Sequence, residues 1–195
     1  MQLFVQLFFK IFFILTPFFV MSVFLVMSKD CDSKERKKLG FKVGLAVMVL
    51  NLSMFYLGKY IFMLFGITID AFRVGAGILL FLSAISIVKS EISETKTSST
   101  DMAIVPLAIP VTVGPGTIGM LLVLSGEMNT INDKIIATAA MVLTSLFLGF
   151  LLSVSVQIEK IIGEKGISIL SKITGLFVAS VASQLVISGV KNLLK

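Results

Sequence analysis

Three prolines and two glycines stand within eleven residues of one apolar stretch, Pro106-Leu-Ala-Ile-Pro110-Val-Thr-Val-Gly114-Pro115-Gly116, followed by Thr117. A proline inside a helix lacks its N–H and clashes with the carbonyl four residues back, while glycine removes the steric barrier to leaving helical angles. The spacing predicts a broken helix. A kink repaired by neighbouring helices is the simpler alternative, but a kink needs one proline. If the helix restarts after Pro115, the amides of Gly116, Thr117 and Ile118 point at the gap as a partial positive charge suited to a carboxylate. The freed carbonyls of Pro106 and Val111 suit a cation, so the two together describe a cradle for a zwitterion. Thr112 and Thr117 could add hydroxyl contacts, although such hydroxyls commonly bond their own helix.

An earlier apolar stretch carries a matching interruption. Pro17 is followed five residues later by Ser22, as Pro110 is by Pro115, and both breaks fall near the middle of their stretches. Thr16 and Ser22 supply hydroxyls there.

The elements that position these breaks are membrane helices. Of 195 residues, 56% are hydrophobic and 14% charged, against about 25% charged in a soluble domain. The mean hydropathy of +1.04 leaves too few polar residues for a water-facing surface and excludes a soluble enzyme. Runs without Asp, Glu, Lys or Arg cover 11–28, 43–58, 74–88, 102–126, 135–158 and 173–190, each near the roughly 17–25 residues that cross a bilayer. Six spans are expected, in one polytopic membrane domain over 1–195. The N-terminus has no basic start, carries Lys10 in its apolar stretch and lacks a small-x-small cleavage site, so it reads as a retained first helix rather than a signal peptide.

The net charge of +6 reports orientation rather than nucleic acid binding. With basic residues assigned to alternating sides, eleven fall on the side of the Lys29–Leu39 loop and six on the other: Lys10, Lys59, Arg73, Lys134, Lys191 and Lys195. The bias places both termini outside. The markedly polar linker Lys89–Asp101 divides the chain into repeat one, about 1–93, and repeat two, about 94–195, each with three spans. Span three opens Arg73-Val-Gly-Ala-Gly and span six Lys172-Ile-Thr-Gly, a basic residue followed by an apolar one and then small ones. Three spans per repeat make the second copy inverted, with broken first and fourth helices, a recurrent plan of secondary transporters.

Other polar residues have simpler readings. Asn51 and Gln184 lie within spans two and six and should face the bundle interior. Asp70 and Arg73, three apart, form an interfacial ion pair. Gly40, Gly44, Gly75 and Gly77 permit close helix contact, and Lys10, Lys42 and Lys59 reach the headgroups from span ends. Short polar loops are expected at Gly66–Asp70, Glu127–Asp133 and Gln157–Ser171. A chain with no histidine and only Cys31 cannot build a His-ligated metal site, a Ser–His pair or an intrachain disulfide. No cofactor is expected.

The residues resemble the MarC family of bacterial inner-membrane proteins, six-span proteins grouped with neutral amino acid transporters. The resemblance rests on Pro106-Leu-Ala-Ile-Pro110 with Gly114-Pro115-Gly116; on Phe72-Arg73-Val74-Gly75-Ala76-Gly77-Ile78-Leu79-Leu80; and on Lys172-Ile173-Thr174-Gly175-Leu176 with Gln184 and Gly189. Span one departs from it. Where the family usually carries Asp-Pro-x-Gly-x-x-Pro, this chain reads Thr16-Pro17-Phe18-Phe19-Val20-Met21-Ser22. The resemblance implies an inner-membrane location and a small neutral amino acid as substrate. With Phe19 in the glycine's place, that substrate would be of the glycine, alanine or serine class. Candidate substrate-binding residues are Thr16, Pro17, Phe19, Pro110, Thr112, Gly114, Pro115, Gly116 and Thr117.

Two functions remain: a secondary transporter, and a membrane protein without transport activity such as an assembly partner, which the altered span one would fit. The charge asymmetry makes one outcome testable. Cys31 should resist a membrane-impermeant thiol reagent in intact cells and react after permeabilisation; labelling without permeabilisation would invert the orientation.

Overall fold

A computed structural model describes residues 2–89 and 112–194, all helix and short turns with no strand among them. The helices are α1 (Gln2–Ile14), α2 (Pro17–Met27), α3 (Ser33–Phe65), α4 (Ile69–Lys89), α5 (Pro115–Glu127), α6 (Ile131–Ser153) and α7 (Ser155–Leu193). Four of them, α3, α4, α6 and α7, are long and apolar enough to cross a membrane, and α1 with α2, bent by 41° at their junction, is a fifth candidate as a broken span or a re-entrant loop. The sixth expected span is represented by α5 alone. Its first part, with Pro106, Pro110 and Val111, lies outside the described residues, as do residues 90–101 of the polar linker.

Local chemistry sets the helix ends. Asp32 and Glu35 form a reciprocal capping box that starts α3, so the expected loop shortens to a turn. Gly66, with φ of 62°, ends α3 in the left-handed conformation that costs glycine nothing. Thr130 accepts the Asp133 amide at the start of α6. The polar stretch Gln157–Ser171, expected as a loop, is helical instead. α7 runs through it and bends at Gly163, where φ of 71° and ψ of 167° are open to glycine alone. Its charged residues alternate with apolar ones at helical spacing, which suits a helix at a membrane surface better than a loop.

The principal helix pairs join the elements before residue 90 to those after residue 111: α3 packs on α5 and α6, α4 on α5 and α7, α1 on α6, and α2 on α7. Small residues let the backbones approach. A Cβ on Gly44 would stand 2.7 Å from the Gly149 Cα, and one on Gly77 would stand 2.9 Å from the Ala182 carbonyl. Lipid tails are as apolar as leucine side chains, so close packing rather than water exclusion drives such association. Asn51, fully buried, donates to the Ser145 hydroxyl at 3.2 Å across the α3–α6 seam. Phenylalanines secure α1: Phe12 lies 5.7 Å from Phe147 of α6, and Phe13 stacks on Phe177 of α7 at 4.5 Å.

Each end of the bundle is tied by polar contacts. At one, the Arg36 guanidinium donates to the Ser28 carbonyl at 2.6 Å and the Ser153 hydroxyl donates to the Lys37 carbonyl at 3.1 Å. At the other, Arg73 pairs with Asp70 at 2.5 Å and Glu127 at 2.6 Å, and Asn192 donates to Asp70 at 3.0 Å. The Asp70–Arg73 pair is thus extended into a clamp joining α4, α5 and α7.

Two interior assignments do not hold. Gln184 is exposed on the outer surface of α7, because its neighbours Ala182 and Leu185 take the inward positions. Gly75 is exposed with no atom within 4 Å of an added Cβ, since Ala76 and Gly77 occupy the packed face of α4. The contrast between the glycines gives a measurement. Gly44→Leu should lower the thermal unfolding midpoint in detergent, at an overpacking cost of about 1–3 kcal/mol, while Gly75→Leu should leave it unchanged.

Candidate functional site

α1 ends and α2 begins at Thr16. The Leu15 and Thr16 amides still donate backward, to Ile11 and Phe13, at 2.9 and 3.0 Å. Pro17 then disfavours right-handed helix in the residue before it. Thr16 adopts φ of 48° and ψ of 55°, a left-handed conformation that costs a side chain with a branched Cβ about 1–2 kcal/mol. α2 starts at once, with Val20 donating to the Thr16 carbonyl at 3.0 Å. Among the described non-glycine residues, Thr16 alone has a positive φ.

α5 begins in the same way. Gly114 is extended, Pro115 takes the first helical position, and Ile118 donates to the Gly114 carbonyl at 3.0 Å. The Ile118 amide, expected to face a ligand, is therefore spent inside the helix. Phe18 and Phe19 in α2, and Gly116 and Thr117 in α5, lie in first turns, where amides have no intrahelical acceptor.

Both starts open on one cavity of about 310 Å³, lined by Ile14, Thr16, Phe19, Leu80, Ser83, Ser86, Ile87, Thr112, Gly114, Pro115, Gly116, Thr117 and Val178. Seven of the nine residues nominated from sequence are in that lining. Pro17 is buried behind it, and Pro110 is outside the described residues. The described lining carries no charged side chain. The positive ends of α2 and α5 and the negative end of α1, whose last residue Ile14 is in the lining, all border it, so partial charges of both signs face the cavity. Hydroxyls and first-turn amides supply polar contacts, while Ile14, Leu80, Ile87 and Val178 supply an apolar wall.

The individual residues divide by what holds them. Thr16 is 5% exposed and its hydroxyl does not cap α2. Thr117 is 6% exposed, and its hydroxyl reaches the Thr112 carbonyl only at 3.5 Å. Ser22 is absent from the lining and donates to its own helix at the Phe18 carbonyl, 3.0 Å away. Gly116 borders the cavity, but its missing Cβ accommodates α4, since an added one would stand 2.7 Å from the Leu80 Cα. It is a packing residue as well as a lining one.

Ser83 and Ser86 of α4 were not anticipated. Two serines three apart in an otherwise apolar span share a helix face, and that spacing was the available signal. A second crevice of about 480 Å³, with Lys59 and Lys134 in its wall, lies at the α3–α4 and α5–α6 turns and contains none of the nominated residues.

The sequence comparisons cover the whole molecule. The description "MarC family integral membrane protein" matches residues 1–194. A UPF0056 membrane protein of Aquifex aeolicus is 31% identical over 202 aligned positions, covering 99% of this chain and 94% of the relative. One from Methanocaldococcus jannaschii is also 31% identical, covering 100% and 98%. The UPF0056 membrane protein YhcE of Escherichia coli is 25% identical, covering 96% and 92%. No solved structure matches. A full-length family match to a bundle of long apolar helices leads to one conclusion: this chain is a multi-pass integral membrane protein belonging to the MarC family.

Proposed function

We propose that the protein is a secondary transporter of small neutral amino acids, of the glycine, alanine or serine class, and that the cavity at the two helix starts is its substrate site. One observation carries this reading. Thr16 and Gly114 are almost a hundred residues apart, yet each precedes a proline that starts a helix, and both starts open on the same cavity. First-turn amides of α2 and α5 suit a carboxylate, hydroxyls suit an ammonium or a bound water, and Phe19 limits the side chain.

Alternating access follows if the two halves are an inverted repeat, and part of the helix packing supports that reading. Exchanging α2 with α5, α3 with α6 and α4 with α7 maps the α4–α5 contact onto α2–α7 and leaves α3–α6 and α4–α7 on themselves, while the extensive α3–α5 contact has only a small counterpart in α2–α6. Such pairs of repeats rock against each other around a site near the midplane. In this reading the chain crosses the inner membrane six times and both termini lie outside, the side with fewer basic residues.

Uptake of labelled glycine or alanine into proteoliposomes is the direct test. Gly114→Leu should reduce it at least tenfold while the protein still inserts, and Phe19→Gly should admit leucine. No titratable side chain is among the described lining residues, so uptake should not depend steeply on a proton gradient. Absence of uptake for every small amino acid in a folded preparation would favour the non-transporting alternative.

A further inference from the structure

The cavity and the Arg73 clamp share two helices. On α5 the cavity borders the first turn, at Pro115, and the clamp holds the last residue, Glu127. On α4 the cavity borders Leu80 to Ile87, and the clamp holds Asp70 and Arg73. Close contacts run from one to the other along this seam. An added Cβ would stand 2.7 Å from the Leu80 Cα at Gly116, 2.6 Å from the Ala76 Cβ at Gly119 and 2.6 Å from the Ile69 Cδ1 at Gly126. Ile14, Leu80 and Val178 of the cavity wall belong to one buried apolar cluster with Met120 and Val123. Ile69 and Phe72, on either side of Asp70, pack against that cluster. A polar solute moving from the cavity toward the clamp would have to part it.

Three features suit the seam to reversible parting. Its glycines give α5 a smooth face toward α4, the kind of surface along which packed helices shift. Its fastening is ionic and partly hydrated: the side chains of Arg73, Asp70 and Glu127 are 15%, 32% and 29% exposed, so water can take over each charge when the groups separate. The Arg73 Nε is buried with no hydrogen-bond partner among the described residues, so the closed arrangement leaves one guanidinium donor unspent, a local cost that parting would relieve. α7 shares the fastening through the Asn192–Asp70 bond, and α1 brings Lys10 within range of the Glu127 and Arg73 charges.

We propose that the Asp70–Arg73–Glu127 clamp is a gate: it closes the cavity toward the α3–α4 turn, and parting of α5 from α4 opens the cavity to that face of the membrane. This rests on the reading of the cavity as a substrate site reached from both faces.

Thiol labelling reads the gate without any substrate. In a Cys31→Ser background, Thr117→Cys places one thiol in the cavity. A membrane-impermeant reagent is added to sealed membrane vesicles on the clamp face, which is opposite the face from which Cys31 of the parent reacts, since Cys31 lies at the other end of the bundle with Arg36. Labelling should be slow while the clamp is intact, and Glu127→Gln and Arg73→Gln should each speed it at least tenfold. Asn51→Ala loosens the α3–α6 seam instead and should leave labelling slow, which separates gating from general loosening. Should Arg73→Gln fail to fold, Glu127→Gln, which keeps the Asp70–Arg73 pair, carries the test. Fast labelling with the clamp intact, no acceleration in a folded Glu127→Gln protein, or equal acceleration by Asn51→Ala overturns the gate. Uptake of labelled glycine or alanine is read separately. Uptake by the parent with no labelling response removes the gate and leaves the transporter reading standing; the expected labelling response with no amino acid taken up removes the amino acid reading and leaves the gate.

Discussion

Hydrocarbon offers a peptide group no hydrogen-bond partner, so any backbone that leaves the helix within a membrane must be covered by protein or reached by water. That constraint governs this molecule. The interruption at Thr16 cannot face lipid, and the start of α5 at Gly114 cannot either. Each is placed inward, and α4 and α7 close the space around them with Leu80, Ser83, Ile87 and Val178. A cavity is thus a by-product of hiding two sets of unpaired amides in one place. The prolines at these two helix starts also shape their polarity, since Pro17 and Pro115 each set the first turn of a helix whose free N–H groups point back toward the cavity.

The bundle is held by helices that touch almost backbone to backbone. Gly44 against Gly149 and Gly77 against Ala182 provide that contact in two seams, and Gly116 against Leu80 brings α5 onto α4 beside the cavity itself. Hydrogen bonds add little strength across such seams, about 0.6 kcal/mol in a typical membrane pair. The Asn51–Ser145 bond is better understood as fixing which faces of α3 and α6 meet. The clamp of Arg73 with Asp70 and Glu127 does the same at one end, where a partly buried guanidinium fits only one arrangement of α4 and α5.

Much of this was legible in the sequence because membrane helices and proline breaks obey one-dimensional rules. Charge-free runs located the apolar helices, and the proline–glycine cluster located the start of α5. What the sequence did not show was direction around a helix axis. The near-continuous apolar character of α4 and α7 leaves no amphipathic stripe to separate packed faces from exposed ones. Gln184 and Gly75 were misplaced for that reason, and the pair Ser83 and Ser86 went unremarked. The stretch Gln157–Ser171 differs from the expected loop because polarity alone does not distinguish a loop from a helix lying along a surface, which is equally polar. Thr16 was legible as a break but not as a left-handed residue, since side chains with a branched Cβ avoid that conformation and nothing local announces it.

The distribution of contacts has a consequence for how the protein is made. Among the described residues, none of the principal packing partners of α1 to α4 lies within that group; the surfaces of α3 and α4 are completed by α5, α6 and α7. Translation at about 5–20 residues per second separates emergence of the two groups by several seconds. During that interval the first helices are inserted but have nothing of their own to close upon, with the backbone at Thr16 uncovered. Their early environment must therefore be furnished from outside the chain, by the insertion machinery or by water held within it. Assembly is completed only when the last helix, α7, seats Gly175 against α4, which makes the C-terminal helix the step that commits the whole chain to its fold.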